Sequence, residues 1–252
     1  MSTIVVRPLR FTDNIDAMQA FLETLGLRPR IQSEEGSWVD MVVGGGMVAL
    51  HSAETSDTGG VAGATRLSFE VDDVDVLAGQ LMTSGVDDVA VYDEAYGKAL
   101  DCRDPLGDVI TVGGRSDDLY GFRLVGDERP DSRVRVVPVR FADPGGPLGG
   151  WLEAMGLQRV GAPNDFYVMY GAGGGEHGYV GVHHVYTEEL PIVPGPAAVH
   201  LTFATSEPLD DVARRLADSG FQAPITREES GAFLTVVDPD GQQVQIRESP
   251  PQ

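Results

Sequence analysis

Five histidines and a single cysteine are the residues of this 252-residue chain best suited to bind a metal or attack a substrate. Two adjacent pairs, Glu176-His177 and His183-His184, have a spacing that would suit a metal. The first follows a glycine-rich run and reads as exposed loop, whereas His183 ends a strand-like run. Cys102 lies beside Asp101 and near Asp104, whose negative charges should raise its pKa and disfavour the thiolate a nucleophile needs. One cysteine also excludes an internal disulfide framework and an all-cysteine metal cluster. The chain has no G-x-S-x-G, no G-x-x-x-x-G-K-[ST], and no G-x-G-x-x-G leading from a strand into a helix. The glycine runs at 44–46 and 173–175 sit between strand-like segments and read as hairpin turns. Any chemistry must therefore come from residues that the fold brings together.

The elements that would do this recur along the chain. P-L-R-F-T-D (8–13) returns as P-V-R-F-A-D (138–143), and F-L-E-T-L-G-L (21–27) as W-L-E-A-M-G-L (151–157). V-A-L-H ending at His51 matches V-G-V-H ending at His183, and R-L-S-F from Arg66 matches H-L-T-F from His200. D-P-L-G (104–107) matches D-P-D-G (238–241). These matches keep their order at a nearly constant offset, which predicts two tandem domains, at 1–115 and 132–252. The polar, turn-rich stretch 116–131 is expected to be a linker. Each domain is long enough to bury its own core.

Within a copy the pattern alternates between strand and helix periods. Ile4 to Phe11 reads as a strand, and Asp13 as the cap of a helix with Ile15, Met18, Phe21, Leu22 and Leu25 on one face. Strands are expected at 38–43 and 47–51. The pattern then restarts with a strand at 65–71, a helix at 74–83, and strands near 89–92, 98–102 and 109–112. The fold class is α+β, built from four βαβββ modules. Short connections within each run imply antiparallel meanders with helices on one face.

Composition limits the partners. With 39 acidic against 18 basic residues, the formal net charge is −21. Such a surface repels phosphate backbones and anionic lipids, so neither nucleic acid nor a membrane surface is an expected partner. No run is apolar for the roughly 18 residues that a membrane-spanning helix needs, and the start does not read as a signal peptide. A cytoplasmic protein, monomeric or homodimeric, is expected.

The modules, with F-x-D before a helix ending L-G-L and D-P-x-G before the last strand, resemble the vicinal oxygen chelate superfamily. That superfamily includes glyoxalase I, extradiol dioxygenases and bleomycin-resistance proteins. The resemblance implies glyoxalase-like domains whose curled mixed sheets surround open cavities. It also implies a metal held by four strand positions, which fall here on Val6, Ala49, Arg66 and Thr111 in the first copy. In the second they fall on Val136, Gly181, His200 and Gln245. The first set offers no metal ligands. The second lacks the carboxylate such chemistry needs, so no metal or other cofactor is expected. The alternative is Fe, Zn or Mn on His183, His200 and Gln245.

Strand alternation from these places yields a candidate ligand site of Arg10, Trp38, His51, Arg66, Glu70, Arg140, Tyr167, His183, Gln245 and Arg247. His200 is the candidate catalytic residue. The expected function is metal-free binding of a small organic molecule, either sequestration of the bleomycin-resistance kind or a metal-free reaction. In that reaction His200 or Glu70 would act as general base. The alternative is a metal-dependent lyase, isomerase or dioxygenase centred on the second copy. If the chain is an enzyme, it is a lyase or an oxidoreductase. Module pairing stays open, either within a copy or first with fourth and second with third.

Overall fold

Proline has no N–H to give a ladder, and Pro8 divides the first strand-forming run into β1 (Ile4–Val6) and β2 (Leu9–Thr12). The two pieces enter different sheets. In this computed structural model the described residues are 2–56, 59–94, 97–115, 119–126, 129–162, 164–184, 199–228 and 231–249. Helix α1 (Ile15–Thr24) follows, with Ile15, Met18, Phe21 and Leu22 on its buried face. Its cap is Asn14, which accepts from the Ala17 amide, and not the expected Asp13. Then come β3 (Arg28–Ser33), which the periodicity does not reveal, β4 (Trp38–Val42) and β5 (Met47–Ser52).

The expected strand at 65–71 is also split, into β6 (Thr65–Arg66) and β7 (Ser68–Val71). Helix α2 (Val74–Thr83), capped by Asp73, leads to β8 (Ala90–Glu94), β9 (Gly97–Arg103) and β10 (Val109–Gly114). A short β11 (Phe122–Leu124) falls within the expected linker and pairs with β3, so this part of the connector is built into a sheet. Residues 116–118 and 127–128 of that connector lie outside the described residues.

The remaining chain contributes β12 (Val134–Val136), β13 (Val139–Phe141), α3 (Leu148–Ala154), β14 (Gln158–Val160), β15 (Tyr167–Gly171) and β16 (Tyr179–His183). It ends with β17 (Val199–His200), β18 (Thr202–Thr205), α4 (Leu209–Asp218), β19 (Ile225–Glu228), β20 (Gly231–Val237) and β21 (Gln243–Glu248).

Four mixed sheets result. Their orders are β1-β7-β10-β9-β8, β11-β3-β4-β5-β2-β6, β12-β18-β21-β20-β19 and β14-β15-β16-β13-β17. The first and third share a pattern, an antiparallel edge strand beside a parallel pair and a hairpin. In each half, the sheet faces turned away from the helices face each other across a cup.

The helix faces pair differently. Phe69, Leu77 and Leu81 pack with Trp151, Leu152 and Tyr170, while Met18, Phe21 and Leu22 pack with Phe203, Leu209 and Leu216. Each half was expected to bury a core of its own. Instead both apolar cores are shared between halves, because each helix covers only one face of a sheet and that layer packs on its counterpart. Cups thus pair neighbouring modules, whereas cores pair the first module with the fourth and the second with the third.

Two candidate cups

The cup side of the first run is the odd-numbered one on both sides of Pro8, since Val5 is in register with Glu70 and Leu9 with Ala49 and Asp40. Val6, fully buried beside Phe69, faces a core, so Arg7 faces the first cup. Arg7 reaches Asp40 on β4 at 3.3 Å and Glu70 on β7 at 3.7 Å. Arg30, on the unanticipated β3, grips Glu70 with both terminal nitrogens and lies 3.2 Å from Asp40. Two cations and two carboxylates drawn from two sheets therefore neutralise each other inside the cup. Arg7, Asp40 and Glu70 are all buried. Gly113 on β10 makes the arrangement possible, since a Cβ there would stand 2.5 Å from Arg7 Nη2.

The other candidates of the first half surround this cluster. The Trp38 ring has the Arg7 guanidinium 5.8 Å from its centroid and the His51 ring edge-on at 5.4 Å. His51 Nδ1 is 2.7 Å from the Ser52 carbonyl, an acceptor only, so Nδ1 carries the proton. Arg66 stacks on Phe11 at 5.0 Å. Glu70, considered above as a general base, is held by two guanidinium groups.

The second cup is built on the same ladder with different side chains. Tyr167 stands opposite His183 as Trp38 stands opposite His51, and Met169 opposite Gly181 as Asp40 opposite Ala49. Val137, Met169 and Ala204 thus hold the places of Arg7, Asp40 and Glu70. By the same registers Thr235 replaces Asp101, Phe233 replaces Ala99, Gln245 replaces Thr111, and Arg247 replaces Gly113. The ionic cluster is gone from this cup, and Tyr167, Met169, His183, His200, Ala204, Phe233, Thr235 and Gln245 are only partly buried.

Burial pushes the Tyr167 phenol up to about 12, an effect the nearby positive charge of Arg247 opposes. Tyr167 and Arg247 come from opposite sheets, so the two walls approach each other here. Gly181 leaves the space that the Tyr167 ring fills, for a Cβ there would lie 2.6 Å from the phenolic oxygen. Arg247 stacks on Phe233 at 5.0 Å and donates to Gln245 Oε1 at 3.3 Å. The His200 ring meets Phe141 edge-on at 4.9 Å. Burial, and then the charge of Arg10, holds His200 below its ordinary value, so it stays neutral.

Arg10 and Arg140, expected in the cups, lie on the opposite sheet faces. Arg10 neighbours Leu50 and Arg140 neighbours Val182, both core residues. Arg10 pairs with Asp238, lies 3.4 Å from Asp240, and donates to the Gly63 carbonyl and to Thr65. Arg140 pairs with Asp108 and lies 3.7 Å from Asp104. Each arginine thus ties its half to the D-P-x-G turn of the other. The alternation counted from Val6 misplaced them because Val6 itself faces the core.

A divalent metal does not fit these side chains. In the first cup, Arg7 and Arg30 already supply the positive charge that balances Asp40 and Glu70. In the second, His183 and His200 lie two strand spacings apart, about 10 Å. The Phe141 ring stands between them, 5.7 and 4.9 Å from the two imidazoles. His183 Nδ1 is turned to the His184 carbonyl at 2.7 Å. Among the described residues no three His, Cys, Asp or Glu side chains converge on one point. Cys102 is fully buried, and burial with the charges of Asp101 and Asp104 raises its thiol to about 12.

No protein-family profile and no curated protein matches the chain. Solved structures do. The Mn(II)-bound glyoxalase from Novosphingobium aromaticivorans aligns over 98% of this chain and 83% of its own, with 17% identity and a TM-score of 0.60. The 2,3-dioxygenase LapB from Pseudomonas sp. KL28 aligns over 98% and 91%, with 13% identity and a TM-score of 0.61. A catechol 2,3-dioxygenase aligns over 100% and 91%, again with 13% identity and a TM-score of 0.61. At these identities the likeness is one of fold.

Proposed function

We propose that this chain, whose fold is that of the vicinal oxygen chelate superfamily, binds a small organic molecule in its second cup without a divalent metal. The observation that carries this reading is the contrast between the cups. A ligand entering the first would have to displace a neutral four-residue ion cluster that is already satisfied. A ligand entering the second meets half-buried aromatic and apolar side chains at the matching places, with His183, His200, Gln245 and Arg247 as polar groups. Binding sites are commonly apolar cavities with a few such polar groups.

His200 is the residue for proton transfer in a metal-free reaction, because a neutral imidazole is able to accept a proton. Simple sequestration uses the same cup and differs only in lacking turnover. In the metal-dependent reading His183, His200 and Gln245 would share a cation, and the Phe141 ring between the imidazoles weighs against it. A cytoplasmic setting and a monomeric or homodimeric state accompany this reading. Among the described residues no helix is long and apolar enough to cross a membrane.

Ligand-observed NMR with a fragment library tests the assignment. Filling the second cup with Ala204→Trp or Thr235→Trp should abolish fragment binding, while Thr111→Trp in the first cup should leave it intact. The opposite pattern would refute the proposal.

A further inference from the structure

Resting on the reading that the second cup is the ligand site, we propose that its ligand is an organic anion. A carboxylate or similar oxyanion would be held by Arg247, with an apolar or aromatic body between Tyr167 and Phe233.

Charge at matched positions separates the two cups. The first cup places three carboxylates on its walls, Asp40, Glu70 and Asp101, and their places in the second are taken by Met169, Ala204 and Thr235. The arginine from the first-strand kink, Arg7, becomes Val137. A different arginine enters from the opposite side, because Arg247 occupies the place of Gly113. In the first cup Arg7 and Arg30 pair with Asp40 and Glu70 while Asp101 accepts from the Tyr92 and Thr111 hydroxyls, whereas the second cup keeps a cation and has none of these three acids. Arg247 forms no ion pair with any described residue, although it belongs to a chain of net charge −21. Glu228, on the same face of the edge strand β19, is exposed, as is Arg247.

Geometry favours the same ligand. The guanidinium lies over the Phe233 ring and spends one contact on the Gln245 side-chain oxygen, which orients it and leaves its other N–H groups available. A planar guanidinium fixed this way matches the two oxygens of a carboxylate. Across the cup the Tyr167 phenol stays protonated and can only donate to an anion at neutral pH. The overall acidic charge of the chain suggests a cationic or neutral ligand, but the composition of this cup selects the reverse.

Isothermal titration of the full-length protein with 2-naphthoate, 2-naphthamide and 2-naphthylmethylammonium tests this. The carboxylate should bind roughly tenfold or more tightly than the isosteric amide, and the ammonium compound most weakly. Arg247→Gln should erase the preference, and Arg247→Lys should retain part of it. Equal binding of amide and carboxylate, lost in Ala204→Trp and Thr235→Trp, would overturn the anion assignment and leave the cup as the ligand site. Absence of binding by all three, or binding insensitive to both tryptophan variants, would overturn the cup assignment itself.

Discussion

Replacing Glu70 by alanine should be among the most damaging single changes in the first half, and the reason can be worked out group by group. Glu70 is engaged by both terminal nitrogens of Arg30 and stands 3.7 Å from Arg7, with its side chain only 7% exposed. Removing it leaves two guanidinium groups facing Asp40 alone, an uncompensated buried charge. Breaking a buried pair in this way costs about 3–5 kcal/mol. Arg30 is 21% exposed and can turn partly toward water, so the lower end, about 3 kcal/mol, is expected. For a chain of this length that corresponds to a fall in Tm of roughly 6–12 °C. The informative comparison is the quadruple variant Arg7→Val, Arg30→Met, Asp40→Met, Glu70→Ala, which removes all four charges and copies Val137, Met169 and Ala204 of the second cup at three of the places. Replacing a whole buried network by apolar residues is close to neutral, so the quadruple variant should lose under about 1.5 kcal/mol. Urea unfolding followed by tryptophan fluorescence measures both. A cost below about 1 kcal/mol for Glu70→Ala, or simple addition of the four single effects in the quadruple variant, would contradict this.

Other expectations follow from the same contacts. Arg10→Met should cost about 3 kcal/mol, because it strands Asp238, whose side chain is fully buried. A double-mutant cycle with Asp238→Asn should then show strong coupling, and additivity would contradict the tie between halves. His200 has a folded pKa below its ordinary value of 6.5, so as pH falls below about 6.5 the unfolded chain takes up this proton first. Stability should therefore decline with acidification in that window, and His200→Gln should flatten that slope in urea titrations across pH. Cys102, buried with a thiol pKa of about 12, should resist a thiol reagent at pH 8 in the native protein and react fully in urea. Rapid native labelling would show that the strand carrying it opens.

Much of the architecture was legible because its signals are local. Helix α2 runs over the expected 74–83 with Asp73 capping it, and the glycine runs do sit between paired strands. The sites were harder to read because facing depends on a parity that one wrongly placed starting residue inverts. Alternation counted from Val6 puts Val6 and Arg10 in the cup and leaves Arg7 out, whereas Val6 lies in a core beside Phe69 and the odd-numbered residues face the cup. Asp40 and Arg30 carried no sequence signal beyond their charge, and the bulge between Pro29 and Ile31 further hides the side Arg30 takes. The partners of Arg10 and Arg140 are more than thirty residues away, where no local pattern reaches. One clue was available. Arg10 and the D-P-x-G aspartates both recur, as residues that bind each other across a repeat must.

The most direct test is a crystal structure of the protein soaked with 2-naphthoate in the presence of Mn(II). The account predicts ligand density between Tyr167 and Phe233 with its carboxylate on Arg247, an undisturbed Arg7–Arg30–Asp40–Glu70 cluster, and no anomalous peak beside His200. An ion held by His183, His200 and Gln245, or a ligand seated against Trp38 in the first half, would contradict it.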